Sequence, residues 1–108
     1  MFYPNSSIAL RCAIKHAFPK AEPEGGEIDQ MGGDREGQER IAAYLLWMLE
    51  RIQTFEASNP NDHEEVVQAV AKRARWLAYV QGRTEALGWI SNRDNRLATR
   101  EDVRMRAY

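Results

Sequence analysis

Five residues in one stretch, Lys72, Arg75, Trp76, Tyr79 and Arg83, recur at steps of 3, 1, 3 and 4. On a helix that spacing gathers them on one side. Guanidinium, ammonium, indole and phenol groups together suit two kinds of chemistry. They anchor protein interfaces, and they hold phosphates and unstacked bases. Arg93, Arg96, Arg100, Arg104 and Arg106 extend the positive charge along the chain. Arg96, Arg100 and Arg104 stand four residues apart, so a helix there carries a continuous basic stripe. These ten residues form the candidate partner-binding set. The alternative arrangement packs Trp76 and Tyr79 into the core, with the stems of the basic residues laid over them.

Catalytic patterns are scarce. Cys12 and His16 are spaced i, i+4 and can meet on a helix, but a cysteine hydrolase also needs an oxyanion hole and a pocket, which no other motif announces. Cys12 is the only cysteine and is expected as a small buried packing residue. His63, beside Glu64 and Glu65, is expected in the first turn of a helix, and neither histidine belongs to HExxH or to a zinc pattern. The pairs Gly25, Gly26 and Gly32, Gly33 do not match GxxxxGK[ST], and the carboxylates around them would repel a phosphate. Their acidic neighbours depart from the DxDxDG calcium loop, which leaves at most a loose divalent-ion site. The expectation is no catalytic residue, no metal and no cofactor.

The elements that must position the basic and aromatic residues are helices. A first helix is expected from about Ser6 to Phe18, capped by Asn5, Ser6 or Ser7 and stopped by Pro19, with Leu10, Ile14, Ala17 and Phe18 on its apolar side. Residues 19–37, with two Pro, five Gly and six carboxylates, read as a long acidic loop. A second helix is expected over Asp34 to Ala57, where Ile41, Leu45, Met48, Ile52 and Phe55 follow a 4, 3, 4, 3 spacing. Ala42, Leu46 and Leu49 lie beside that seam, and Tyr44 and Trp47 on a further side, so this helix is apolar nearly all round. Such a helix is buried centrally or self-associates through Ile41, Tyr44, Leu45, Trp47, Met48, Ile52 and Phe55, a homodimer being the simplest form.

A third helix is expected from Asp62, with Glu65 as capping partner, past Gly82 but not past Gly88 within a segment reaching Ser91. Val66, Val70, Leu77, Val80 and Leu87 form its apolar side. From Asn92 a turn leads into one short terminal helix, with Thr99 and Asp102 as a weak capping pair. The fold class is all-α: three main helices plus a short C-terminal one, in a single domain over residues 1–108.

The 108 residues hold 15 basic and 16 acidic side chains, a net charge of −1, with 44% apolar residues. That length supports one core without disulfide or metal staples, and no apolar run is long enough to span a membrane. The near-zero balance hides a split. Residues 1–70 carry six basic and twelve acidic side chains, a net of −6, whereas residues 71–108 carry nine and four, a net of +5. A basic end of this kind meets an anionic partner or an acidic surface of the same or another chain. One cysteine and a start, MFYPNSSIAL, without a basic n-region make the cytosol the expected compartment. The leading expectation is a small non-enzymatic module, itself a homo-oligomer with the dimer favoured, that occupies the surface of a protein partner, as an adaptor or as a stoichiometric inhibitor of the kind mobile elements and phages carry. The alternatives are a nucleic-acid-binding or transcription-associated module using the same basic residues, and a small helical enzyme or ligand binder with its site beside the acidic loop.

Overall fold

α1 (Pro4–Ala17) begins where the backbone of Tyr3 turns left-handed at φ 49° and Pro4 takes the first helical position. Proline suits that position because its φ is already helical and its missing amide would have no partner there. The start lies two residues before the sequence expectation, and none of Asn5, Ser6 or Ser7 provides the cap. Two first-turn amides remain to be satisfied, those of Asn5 and Ser6, and Asp102 takes both. Its Oδ1 accepts from the Asn5 amide at 2.8 Å and from the Asn5 side chain at 3.2 Å, and its Oδ2 accepts from the Ser6 amide at 3.0 Å. Asp102 is therefore a helix cap supplied from almost a full chain length away, where a carboxylate is also favoured by the helix dipole. Its expected pairing with Thr99 is corrected, since Thr99 sits inside the last helix and donates to the Asn95 carbonyl at 2.9 Å.

The structure, a computed structural model, describes residues 1–26 and 34–106, with side chains described through 104. Its other helices are α2 (Arg35–Ile52), α3 (His63–Ala86) and α4 (Asn92–Arg106). All regular structure among the described residues is helical, which bears out the all-α class, and no described helix is long and apolar enough to cross a membrane. α1 lies at the centre and packs against the other three, while α2 also packs on α3.

Asp34 caps α2 through the Gly37 amide at 2.8 Å. The helix ends five residues before the expected Ala57, because tertiary contacts capture its continuation. The Gln53 side chain exchanges two hydrogen bonds with the backbone of Phe2, at 2.6 and 2.8 Å. Arg73, buried on α3, donates to the Phe55 carbonyl and stacks 3.8 Å from the Phe2 ring centre. α3 follows its expected course: Asp62 accepts from Glu64 and Glu65, the helix passes Gly82, and Gly88 at φ +74° closes it. There the Trp89 amide reaches the Thr84 carbonyl and the Gly88 amide reaches Glu85, a left-handed glycine cap.

Leu10, Ile14, Ile41, Leu45, Leu49, Ile52 and Val80 form the fully buried core. Leu77 joins them, but Val67 and Val70 on the same helix are 50% and 42% exposed. At 24 residues α3 runs about 36 Å against about 21 Å for the 14 residues of α1, so its N-terminal turns overhang the core. The terminal helix, expected to be short, is fifteen residues long; the Asp94 amide donates to Ser91 Oγ at its start, and α4 buries Asn95, Ala98 and Asp102.

Replacing Asp102 by alanine leaves two first-turn amides without an acceptor. We expect a loss of about 2 kcal/mol of stability. Urea unfolding should show a lower midpoint at an unchanged slope, with Asp102→Asn intermediate between the two; an unchanged midpoint in Asp102→Ala would count against the cap.

Candidate interaction surface

Covering α2 leaves one side of the molecule with an unusual composition. Ile41, Leu45, Met48, Ile52 and Phe55 are buried within the chain's own core. Phe18 and Ala21, in the segment after α1, are buried as well, and the Glu24 amide donates to the Ala43 carbonyl at 3.1 Å, so this segment lies as a strap along α2. The central burial of the helix is thus achieved inside one chain, with Tyr44 and Trp47 alone of the expected self-association set left half-buried. These two turn toward α3. Tyr44 packs on Trp47 at 5.4 Å between ring centres, Trp47 on Trp76 at 5.7 Å, and Trp76 edge-on to Phe55 at 4.7 Å.

Cations lie over these rings. Lys72 Nζ is 4.4 Å from the centre of Phe55 and 5.8 Å from that of Trp76. The Arg51 guanidinium is 5.8 Å from Phe55 and 6.0 Å from Trp47. Beside them Tyr44, Met48, Arg75, Trp76 and Tyr79 enclose an open cup of about 350 Å³. Among the described residues, no carboxylate lies within ion-pair distance of Arg51, Lys72 or Arg75.

The fold therefore unites Lys72, Arg75, Trp76 and Tyr79 on one face, as their spacing predicts. Trp76 and Tyr79 divide between the two alternatives: Trp76 is half-buried in the ring cluster, whereas Tyr79 is 44% exposed. Arg83 is half-buried one turn further along. Tyr44, Trp47 and Arg51 were not in the partner-binding set, although Tyr44, Trp47 and Arg51 recur at steps of 3 and 4 and so share one stripe of α2. Only the pairing of α2 with α3 shows that the two stripes meet.

Arg93, Arg96, Arg100 and Arg104 are exposed along α4; Arg104 lies 3.8 Å from Glu101, and the side chain of Arg106 falls outside the described residues. Arg96 and Arg100 join Ala78 and Gly82 of α3 along an open cleft of about 500 Å³. Ala78 and Gly82 lie three residues beyond Arg75 and Tyr79, one step round α3 from the α2–α3 face. The described part of the acidic loop runs along α2: Glu22 lies 3.7 Å from Lys15 on α1, the Glu24 amide reaches the Ala43 carbonyl, and Gly25 stands against Trp47 at the margin of this face. Residues Glu27 and Asp29, and with them the middle of any divalent-ion site, lie outside the described residues.

Cys12 is exposed, which corrects its expected burial. α1 buries Ser6, Leu10 and Ile14, and Cys12 lies on a different side, two residues from both Leu10 and Ile14. It shares a shallow depression with His16, Trp89 and Asp94. Among the described residues no three His, Cys, Asp or Glu side chains converge as a metal site. Comparison with protein-family models, with curated proteins and with solved structures returns no match.

The strap depends on a glycine. A Cβ on Gly25 would stand 2.6 Å from Trp47 Cε2 and 2.8 Å from its Nε1. Gly25→Ala should therefore lift the strap or displace the indole, costing about 1–2 kcal/mol. Chemical denaturation and a red shift of tryptophan emission check this, and an unshifted emission with wild-type stability would contradict the contact.

Proposed function

We propose that this chain is a non-enzymatic interaction protein that acts by occupying the surface of a protein partner, as an adaptor or stoichiometric inhibitor, and that the α2–α3 face makes the contact. The observation that carries the reading is the juxtaposition of half-buried Tyr44, Trp47 and Trp76 and exposed Tyr79 with Arg51, Lys72 and Arg75, cations that have no carboxylate partner among the described residues. Tyr, Trp, Met and Arg are enriched at protein interfaces because large, stiff side chains bury much area at little entropic cost. The disposition of the rings favours a protein over a single-stranded nucleic acid. Base stacking needs open ring faces, whereas Lys72 and Arg51 already lie over Phe55, Trp76 and Trp47.

A second reading rests on α4, whose four exposed arginines, Arg93, Arg96, Arg100 and Arg104, form a stripe suited to phosphates. The two readings part under salt and under mutation. Affinity capture from the native host should recover a protein on the wild-type chain and on the control Arg11→Glu, and lose it on Lys72→Glu/Arg75→Glu at unchanged helicity. Retention by the double variant would move the interface away from this face. In mobility-shift assays at about 50 and 200 mM salt we expect no retarded DNA or RNA; a shift that weakens steeply with salt and disappears in Arg96→Glu/Arg100→Glu would instead support the second reading.

A further inference from the structure

The cup between α2 and α3 specifies more than a docking face. It is lined by Tyr44, Met48, Trp76 and Tyr79, with Arg75 beside them. Met48 is buried and Trp76 is held by Phe55 and Trp47, so these walls are preorganised by the core beneath them. An open recess of this size can seat one bulky apolar side chain, and Met adapts its shape to an irregular guest. Cations outnumber carboxylates around it. Arg75 forms part of the cup, Lys72 and Arg51 lie over adjoining rings, and Arg96 and Arg100 border the neighbouring cleft, where Glu85 accepts from the side chains of Asn92 and Asn95; Glu56 lines the depression beside Lys72. Glu65, two turns before Lys72 on α3, is engaged by the Asn59 amide at 2.8 Å.

We infer that the occupant of this cup is an acidic peptide segment of the partner, with a single bulky apolar side chain, aromatic or leucine, flanked by Asp or Glu. The inference rests on the reading of the α2–α3 face as a protein-docking surface. The apolar anchor enters among Tyr44, Met48, Trp76 and Tyr79, and the flanking carboxylates meet Arg75 and Lys72. Charge complementarity selects this occupant over a two-fold contact with a second copy of the chain, which would set the cationic patch of Arg51, Lys72 and Arg75 in one copy against the same patch in the other. A basic or neutral segment leaves those cations without partners at a desolvated rim.

A random peptide display library, with inserts of about 12 residues, selected on the full-length chain tests this directly. The enriched sequences should be acidic with one aromatic or leucine anchor. Replacing that anchor by alanine, or using a Tyr44→Ala/Tyr79→Ala chain, should weaken binding at least about tenfold. Arg75→Glu should abolish binding, and in the labelled wild-type chain the indole N–H signals of Trp47 and Trp76 should move while that of Trp89 stays. Enriched peptides that are basic, or acidic without an anchor, would overturn the inferred occupant yet leave the docking face standing, provided Arg75→Glu still abolishes their binding. Binding that survives Arg75→Glu, or that moves Trp89 alone, would overturn the docking face and the inference together. Failure to enrich any peptide would overturn the inferred occupant.

Discussion

The rest of the structure depends on the covering of α2. A helix bearing Ile41, Leu45, Met48 and Ile52 on one side and Ala42, Leu46 and Leu49 beside it buries apolar surface in nearly every direction. At about 25 cal/mol for each Å² of apolar surface, leaving one such side in water would forfeit several kcal/mol. α1 and α3 cover two sides, and the strap running through Phe18, Ala21 and Gly25 covers a third. What remains is the margin facing α3, and there the chain places amphipathic rings rather than aliphatic side chains. The interaction surface is thus the boundary of the core, with ring edges continuous with buried packing and cations at the water side.

α1 acts as the hub of that arrangement, and the ends of the chain hold it in place. Asp102 satisfies the two open amides at the start of α1, so α4 is joined to α1 by hydrogen bonds as well as by packing. Phe2 is held by the side-chain amide of Gln53 and covered by Arg73. Arg73 links the same region to the Phe55 carbonyl, and Phe55 in turn supports Trp76. A chain of contacts therefore runs from the N-terminal residues to the rings of the candidate surface. It also ends α2 early, because Gln53 and Phe55 are engaged by tertiary partners.

Much of the fold is legible in the residue pattern. Periodic apolar spacing marks α1, α2 and α3, a turn at Asn92 marks the start of α4, and Asp62 and Gly88 mark the ends of α3. Of the interaction surface, the α3 half is legible because Lys72, Arg75, Trp76 and Tyr79 share a helical side. The α2 half is readable as a stripe but not as a partner to α3, since helix pairing is set by distant contacts. Cys12 shows the limit of residue-type arguments: free cysteine is commonly buried, but here rotation of α1 toward Leu10 and Ile14 leaves it in water.

By itself the sequence determined the helical class, the order of the helices, the ends of α3, and the separation of an acidic first portion from a basic last one, because each of these follows from local propensity, spacing and charge. Tertiary structure alone decided that α2 is enclosed within one chain, that Asp102 caps a helix 97 residues away, and that Tyr44, Trp47 and Arg51 stand beside Lys72, Arg75 and Tyr79. The physical reason is range. Helix spacing acts over three or four residues, whereas capping by a distant carboxylate and the meeting of two aromatic stripes exist only after the chain has closed on itself.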